Sequence, residues 1–166
     1  MPPRDRLAYQ PSGGRPPLKF PDGIRLYLRR HQYANTETGD LWDALEESTG
    51  QPVRALMDSW IFQPGYPLVS VARDGRSLRL SQQIFRYVQD GNDASRRWHV
   101  PVCLRVGMGG GVVNKTLLMT DEAQRVDFAA DIDWAVINAG GHGFYRARYS
   151  RELSSALTAQ WRAILS

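Results

Sequence analysis

The stretch Val53-Arg54-Ala55-Leu56-Met57-Asp58-Ser59-Trp60-Ile61-Phe62-Gln63-Pro64-Gly65-Tyr66-Pro67-Leu68-Val69 decides the fold, because the hydrophobic period changes inside it. Val53, Leu56, Met57 and Trp60 recur at three- and four-residue intervals, which places them on one face of a helix. Gln63-Pro64-Gly65 breaks that helix. Tyr66 to Arg73 and Arg76 to Gln82 then flank Asp74-Gly75. That dipeptide suits a two-residue hairpin turn whose central positions both need positive φ.

Upstream of the break the sequence is helical. Ile24, Tyr27, Leu28 and His31 form one stripe, and Leu41, Ala44, Leu45 and Ser48 form another. Asp40 reads as the N-cap of the second helix, since its carboxylate can accept from exposed N–H groups. Gly50 stands where a C-terminal glycine ends a helix, and Pro52 occupies a first-turn position in the next. Downstream the period is two. Trp98, Val100, Val102, Leu104 and Val106 alternate with His99, Pro101, Cys103 and Arg105, which reads as a strand with one buried face. Pro101 within it implies an edge position or a bulge. Gly107 to Gly111 reads as a turn, and Val112 to Met119, Gln124 to Phe128, Trp134 to Asn138 and Phe144 to Tyr149 as further strands. Ser150 then caps a last helix with Leu153, Ala156, Leu157, Trp161 and Leu165 on its apolar face. That face needs the sandwich or another partner to cover it. The fold class expected is α+β: a short helical segment, an immunoglobulin-like antiparallel β-sandwich, and a C-terminal helix.

Composition agrees with a packed chain. Of the 166 residues 42% are hydrophobic, enough for a core and too many for a disordered polymer. The exception is Met1 to Lys19, rich in proline and glycine, which reads as a disordered leader. The formal charge is +4, but the arginines are scattered among Asp and Glu. A solvated surface is therefore expected rather than a nucleic-acid partner. The single cysteine, Cys103, excludes an internal disulfide and a cysteine-based zinc cluster. With no apolar run of about 20 residues and no signal-peptide core, no membrane partner is expected and the cytoplasm is the expected location. Asn114-Lys115-Thr116 matches a glycosylation acceptor but carries little weight without a secretory signal.

Several strings are specific. Phe20-Pro21-Asp22-Gly23-Ile24, Tyr27-Leu28, His31-Gln32-Tyr33-Ala34-Asn35-Thr36 and Asp40-Leu41-Trp42 resemble F-x-x-G-(I/L)-x-x-Y-L-x-x-H-x-Y-x-N-x-x-T-x-D-L-W, which closes the catalytic domain of the zinc aminopeptidase N and puromycin-sensitive aminopeptidase family. Met57 to Val69 resembles that family's M-x-x-W-x-x-Q-x-G-(Y/F)-P junction through Trp60, Gln63, Gly65 and Pro67. Leu80 to Phe85 is similar to L-x-Q-x-x-F, and Trp98 to Val102 to W-x-(V/I)-P-(V/I/L). Asn138 to Tyr149 is similar to N-x-x-x-x-G-F-Y-R-V-x-Y through Asn138, Gly143, Phe144, Tyr145 and Arg146. The resemblance covers Phe20 to Tyr149. It implies that residues 20–63 form the helical end of a catalytic domain, 64–149 the β-sandwich domain, and 150–166 the first helix of a truncated C-terminal helical domain. His31, Tyr33, Asn35, Trp42, Trp60, Gln63, Gly65, Pro67, Asn138, Gly143, Phe144, Tyr145 and Arg146 are then structural residues of the family motifs.

The resemblance also implies a parent chemistry, removal of N-terminal residues from peptides by a zinc-activated water, with peptides and the missing parts of the enzyme as partners. The chain carries none of the machinery. Members of the family hold one zinc through H-E-x-x-H and a later glutamate, which puts both imidazoles on one helical face with a glutamate base between them. The three histidines here, His31, His99 and His142, include no pair four residues apart. The amine-recognition string G-x-M-E-N is missing too. Tyr9 is followed by Gln10-Pro11-Ser12 and not by the family's x-K-G, so it takes no catalytic role. No catalytic or metal residue is expected, and no cofactor in this chain, zinc belonging to the parent family.

Other candidates read as structural. His31 lies on an apolar helix face as a buried, hydrogen-bonded side chain, and His142 lies in a glycine-rich turn. His99 shares a strand face with Cys103, and two ligands do not close a metal site. Gly109-Gly110-Gly111 lacks the lysine of a phosphate loop, and no G-x-S-x-G elbow is present. Glu46-Glu47 and Asp121-Glu122 read as solvated neighbours. Tyr145-Arg146 raises anion binding, but packing at the sandwich edge is the preferred reading. The function expected is thus a scaffolding segment of a zinc aminopeptidase, inactive alone. The rival is a non-catalytic β-sandwich protein-interaction module.

Overall fold

The computed structural model describes residues 20–87 and 96–161; the leader and Leu165 lie outside the described residues. The chain divides into two compact units, one ending at Asp58 and one beginning at Ser59.

The first unit holds α1 (Phe20–Arg30) and α2 (Thr38–Thr49), and α3 (Val53–Ile61) runs across the division. α1 packs on α2 where a side chain is missing. Gly23 is its one buried residue, and a Cβ there would overlap the Ser48 hydroxyl and the Leu45 side chain. The stripe read from sequence is less covered than expected, with Leu28 exposed and His31 half-buried against the Tyr27 ring at 5.3 Å. α2 begins three residues earlier than its sequence suggests, with Glu37 and not Asp40 at the N-cap. Asp40 is at the third helical position, where its carboxylate reaches back to the Glu37 N–H at 2.9 Å. A short acid serves there as well as at the cap, because both positions face orphan N–H groups. Gly50 ends α2 at φ 65°. Glu46 and Glu47 are not merely solvated. Glu47 pairs with Arg30 at 2.7 Å, and Glu46 accepts from the Arg54 N–H at 3.0 Å.

The second unit is a sandwich of two sheets. One has the order β5 (Ala123–Asp127), β2 (Ser77–Ile84), β1 (Pro67–Asp74), β7 (Arg146–Tyr149). The other has the order β4 (Gly111–Met119), β3 (Val100–Met108), β6 (Trp134–Ile137). Alternation puts one face of each strand between the sheets. Val69, Val71, Leu78 and Leu80 from the first sheet meet Val100, Val102, Leu104, Val106, Ala135 and Ile137 from the second, with Trp98 among them. The clean alternation from Trp98 to Val106 is fully buried, as its period predicts. All pairs are antiparallel except β1 with β7, which are parallel. These strands lie far apart in the chain, so no tight turn has to join them.

Three local readings shift. Asp74 pairs with Ser77, so the hairpin turn is Gly75-Arg76, one residue later than expected. Gly75 has φ 59° and Arg76 is not in the left-handed region, which is the pattern of a type II′ turn with glycine first. Gly107 belongs to β3 and not to a turn; it sits opposite Trp134, whose indole a Cβ would strike. The turn is Gly109-Gly110, both at positive φ. Pro101 sits in a central strand, yet β6 pairs only with Leu104–Gly107, so no β6 partner asks Pro101 for an N–H.

α4 (Arg151–Ala159) starts at Ser150, whose hydroxyl accepts from the Leu153 N–H at 3.3 Å. It docks on the sandwich through Leu153, which is fully buried. The Arg73 guanidinium fastens its first turn, donating to the Glu152 carboxylate and to the Ile132 carbonyl, the latter at 2.6 Å. Two polar groups that stand in the quoted strings, Tyr149 and Gln82, close the sandwich. The Tyr149 hydroxyl of β7 donates to the Ile137 carbonyl at 3.2 Å and accepts from the Ile137 N–H at 3.0 Å, joining one sheet to the other. The buried Gln82 amide donates to the Trp98 and Asp121 carbonyls at 3.0 and 2.9 Å and accepts from the Trp98 N–H at 3.0 Å.

Candidate binding site

The site is built at one end of the four-stranded sheet. β1 and β7 run parallel in the register Leu68↔Arg146, and Pro67 pairs with Ile84 of antiparallel β2. The residues just outside these pairs therefore gather at one end: Tyr66 before β1, Phe85 and Tyr87 after β2, and Phe144 before β7. The ladder continues there, since the Phe85 N–H donates to the Tyr66 carbonyl at 2.9 Å.

Gly143 to Arg146 is held by Asn138. Its side-chain oxygen accepts from the Gly143 N–H at 2.7 Å and its amide donates to the Gly143 carbonyl at 3.0 Å. Asn138 itself has φ 58°, a conformation its short polar side chain tolerates better than most. Gly143 has no room for a Cβ, because the Tyr145 ring and the Asn138 oxygen stand within 3 Å of it. This is the physical content of the N-x-x-x-x-G-F-Y-R string. From Gly143 onward the side chains alternate. Phe144 is 73% exposed, Tyr145 enters the core, and Arg146 points out. Burial pushes the Tyr145 phenol well above its ordinary pKa, with the nearby Cys103 adding to the effect.

The aromatic rings interlock. Tyr66 stacks on Phe85 at 5.1 Å and 19°, Tyr87 meets Phe85 edge-on at 5.0 Å, and Phe144 leans on Tyr66 at 5.7 Å and on Trp60 at 6.1 Å. The Arg146 guanidinium lies over the Phe85 ring at 5.1 Å. The Tyr66 phenol, and after it the Tyr87 phenol, raise the Arg146 pKa by hydrogen bonding and by charge. Tyr66, Gly143, Phe144, Tyr145 and Arg146 line an open depression of about 290 Å³.

The junction read from sequence supports this end from beneath. The Trp60 indole donates to the His99 carbonyl at 3.0 Å, and the Gln63 amide donates to the Arg97 carbonyl at 2.6 Å. The His99 N–H donates to the Ser59 hydroxyl at 3.0 Å. It is the His99 backbone, not its imidazole, that these contacts use. Gly65 has φ 97°, and a Cβ there would crowd Ile84 at 3.1 Å. Pro67 is buried at the start of β1.

Of the family-motif residues, Trp60, Gly65, Phe144, Tyr145 and Arg146 thus belong to this end of the sandwich, with Gln63, Pro67, Asn138 and Gly143 bracing it. The remaining four lie in the first unit. His31 follows α1, Tyr33 is fully exposed at φ 64°, Asn35 is exposed, and Trp42 is half-buried in α2. Phe85 and Tyr66 stand in quoted strings, but nothing in the sequence marks Tyr87. Among the described residues no three His, Cys, Asp or Glu side chains converge on a metal position. A zinc ion therefore does not fit the described part of this chain.

Comparison with known proteins places the chain. Residues 16–60 match the model of the peptidase family M1 domain. The puromycin-sensitive aminopeptidase of Caenorhabditis elegans is 37% identical over 144 residues, covering 83% of this chain and 15% of that protein. Aminopeptidase M1 of Arabidopsis thaliana is 33% identical over 153 residues, covering 83% of this chain and 17% of that protein. Aminopeptidase N of Lactococcus lactis is 48% identical over 83 residues, half of this chain and 10% of that protein. The chain spans at most about a sixth of the length of these relatives.

Proposed function

Since this chain belongs to the peptidase M1 aminopeptidase family, we propose that it is a scaffolding segment of a zinc aminopeptidase that removes N-terminal residues from peptides. In this reading residues 20–63 finish the helical lobe of the catalytic domain, 64–149 supply the sandwich, and 150–166 begin the C-terminal helical domain. The thirteen motif residues named above then shape junctions rather than touch substrate. Peptides are the substrates of the whole enzyme, its remaining parts are this segment's partners, zinc is bound elsewhere in the enzyme, and the cytoplasm is its compartment. No described helix is long and apolar enough to cross a membrane.

The observation that carries the reading is the pairing of family likeness with a missing donor set. The ordered strings match the aminopeptidases, while the three histidines have no H-E-x-x-H spacing and no described side chains converge on a metal position. A water becomes a nucleophile at neutral pH only on an ion that several protein side chains hold while one position stays open for it. The chain alone is therefore inactive. The test is hydrolysis of an alanyl chromogenic amide by the purified chain with added zinc, with and without a chelator. The expected result is no chelator-sensitive release; zinc-dependent turnover above a no-protein blank overturns the reading.

One observation favours the rival, a protein-interaction module: Phe144, Tyr87 and Phe62 are more than two-thirds exposed in the second unit. Size-exclusion chromatography and partner capture separate the two readings. A monodisperse chain that retains one specific protein supports the module, and aggregation with proteolytic loss of the first helices supports the segment of a larger enzyme.

A further inference from the structure

The depression beside Arg146 has chemistry that scaffolding does not use. Arg146 is exposed, and among the described residues no carboxylate pairs with it, although Arg25, Arg30, Arg54, Arg73, Arg79, Arg97 and Arg125 all have one. The Tyr66 and Tyr87 phenols stand beside it, and a guanidinium carries more N–H donors than two phenol oxygens can occupy. No described carboxylate offsets the charge, and the group is already positioned: stacking on Phe85 fixes its plane, and the Asn138 bracket fixes the backbone that carries it. Donors ordered before binding lose less freedom on binding.

We infer that the depression lined by Tyr66, Phe144 and Arg146 is a docking site for an extended segment of a partner protein carrying an acidic side chain next to an aromatic one. Three observations fix that chemistry. The planar fork of Arg146 matches a carboxylate bidentately. The lining holds one cation and no second basic residue, which suits a singly charged carboxylate better than a phosphate. The exposed Phe144 face and the Tyr66 ring offer an aromatic wall beside the charge. The segment should be extended because β7 is the last strand of its sheet, with its outer backbone edge unpaired by any described strand. Arg148, two residues on, is exposed on the same face and adds to the attraction for an acidic partner.

The test is a titration of the isotope-labelled full chain, followed by amide chemical shifts, with the blocked peptide acetyl-Val-Phe-Glu-Val-amide and its glutamine counterpart. Shifts should be largest from Gly143 to Arg148. The acidic peptide should bind about tenfold more tightly, the difference expected between a charge-assisted and a neutral hydrogen-bonded pair. The preference should shrink as salt is added. Arg146→Met should abolish the preference, Arg146→Lys should keep part of it, and Phe144→Ala should weaken both peptides alike. Equal binding of the two peptides, shifts centred elsewhere, or displacement by inorganic phosphate at the peptide's own concentration would each overturn the assignment. None of these outcomes depends on the aminopeptidase reading, because no hydrolysis is measured.

Discussion

Replacing Gln82 by alanine removes one amide that serves three backbone groups. Trp98 is fully buried, and both its N–H and its C=O are bonded to Gln82. Neither group can turn to bulk water when the amide is gone. At about 1–3 kcal/mol for each orphaned buried group, the pair costs roughly 2–6 kcal/mol. The Asp121 carbonyl is the third acceptor; Asp121 is exposed, so water can replace the amide there at little cost. A domain of this size has about 5–15 kcal/mol in total, so the variant loses a large share of it. In guanidinium unfolding followed by tryptophan fluorescence, the midpoint should fall by about 1 M with the slope unchanged. Gln82→Glu gives an independent check. Its carboxylate can still accept from Trp98 but faces two carbonyl oxygens, so burial and repulsion raise its folded pKa. The ionised form is the destabilised one, and stability should return as pH falls through that raised pKa and the acid regains a donor. A loss under about 1 kcal/mol for Gln82→Ala, or no acid recovery for Gln82→Glu, would refute the view that this amide clamps the sandwich.

Two further predictions concern the joint between the sheets and its polar rim. Tyr149→Phe removes the one side chain that bonds both Ile137 backbone groups, and should destabilise the second unit by about 1–3 kcal/mol, read from the same unfolding curves. An unchanged midpoint would mean that water replaces the hydroxyl. The Asp127 carboxyl is held below its ordinary pKa by the Ser77 hydroxyl first and by Arg125 second. Its contribution is therefore present above the unfolded carboxylate pKa of about 4 and is lost as pH falls through the lower folded value. Stability measured from neutral pH downward should drop less steeply in Asp127→Asn than in the parent chain, and parallel curves would contradict the assignment.

How much was legible in the sequence follows from the range of the forces involved. The alternation from Trp98 to Val106 was readable because burial acts on each side chain through the local backbone period, while the stripe ending at Trp60 is only half-buried. The Gly75-Arg76 turn was misplaced by one residue, because Asp74 can serve a turn or a strand end and only its pairing with Ser77 decides. Gly107 looked like a turn residue because a glycine run looks like one. That it is a strand residue depends on the Trp134 indole across the sheet. The preference for packing over anion binding at Tyr145-Arg146 rested on family likeness alone. Arg146 is nonetheless exposed, and among the described residues no carboxylate pairs with it.

By itself the sequence determined the order of helices and strands, the family, and the absence of a zinc-binding spacing, since all three are written in short-range patterns of residue type. The tertiary structure alone decided which residues meet. Gln82 reaches Trp98 and Tyr149 reaches Ile137 only because two sheets face each other, and Phe85 meets Arg146 only because β1 holds β2 and β7 in one sheet. Side-chain hydrogen bonds and ring contacts act over a few ångströms in space, at separations along the chain that no local period can record.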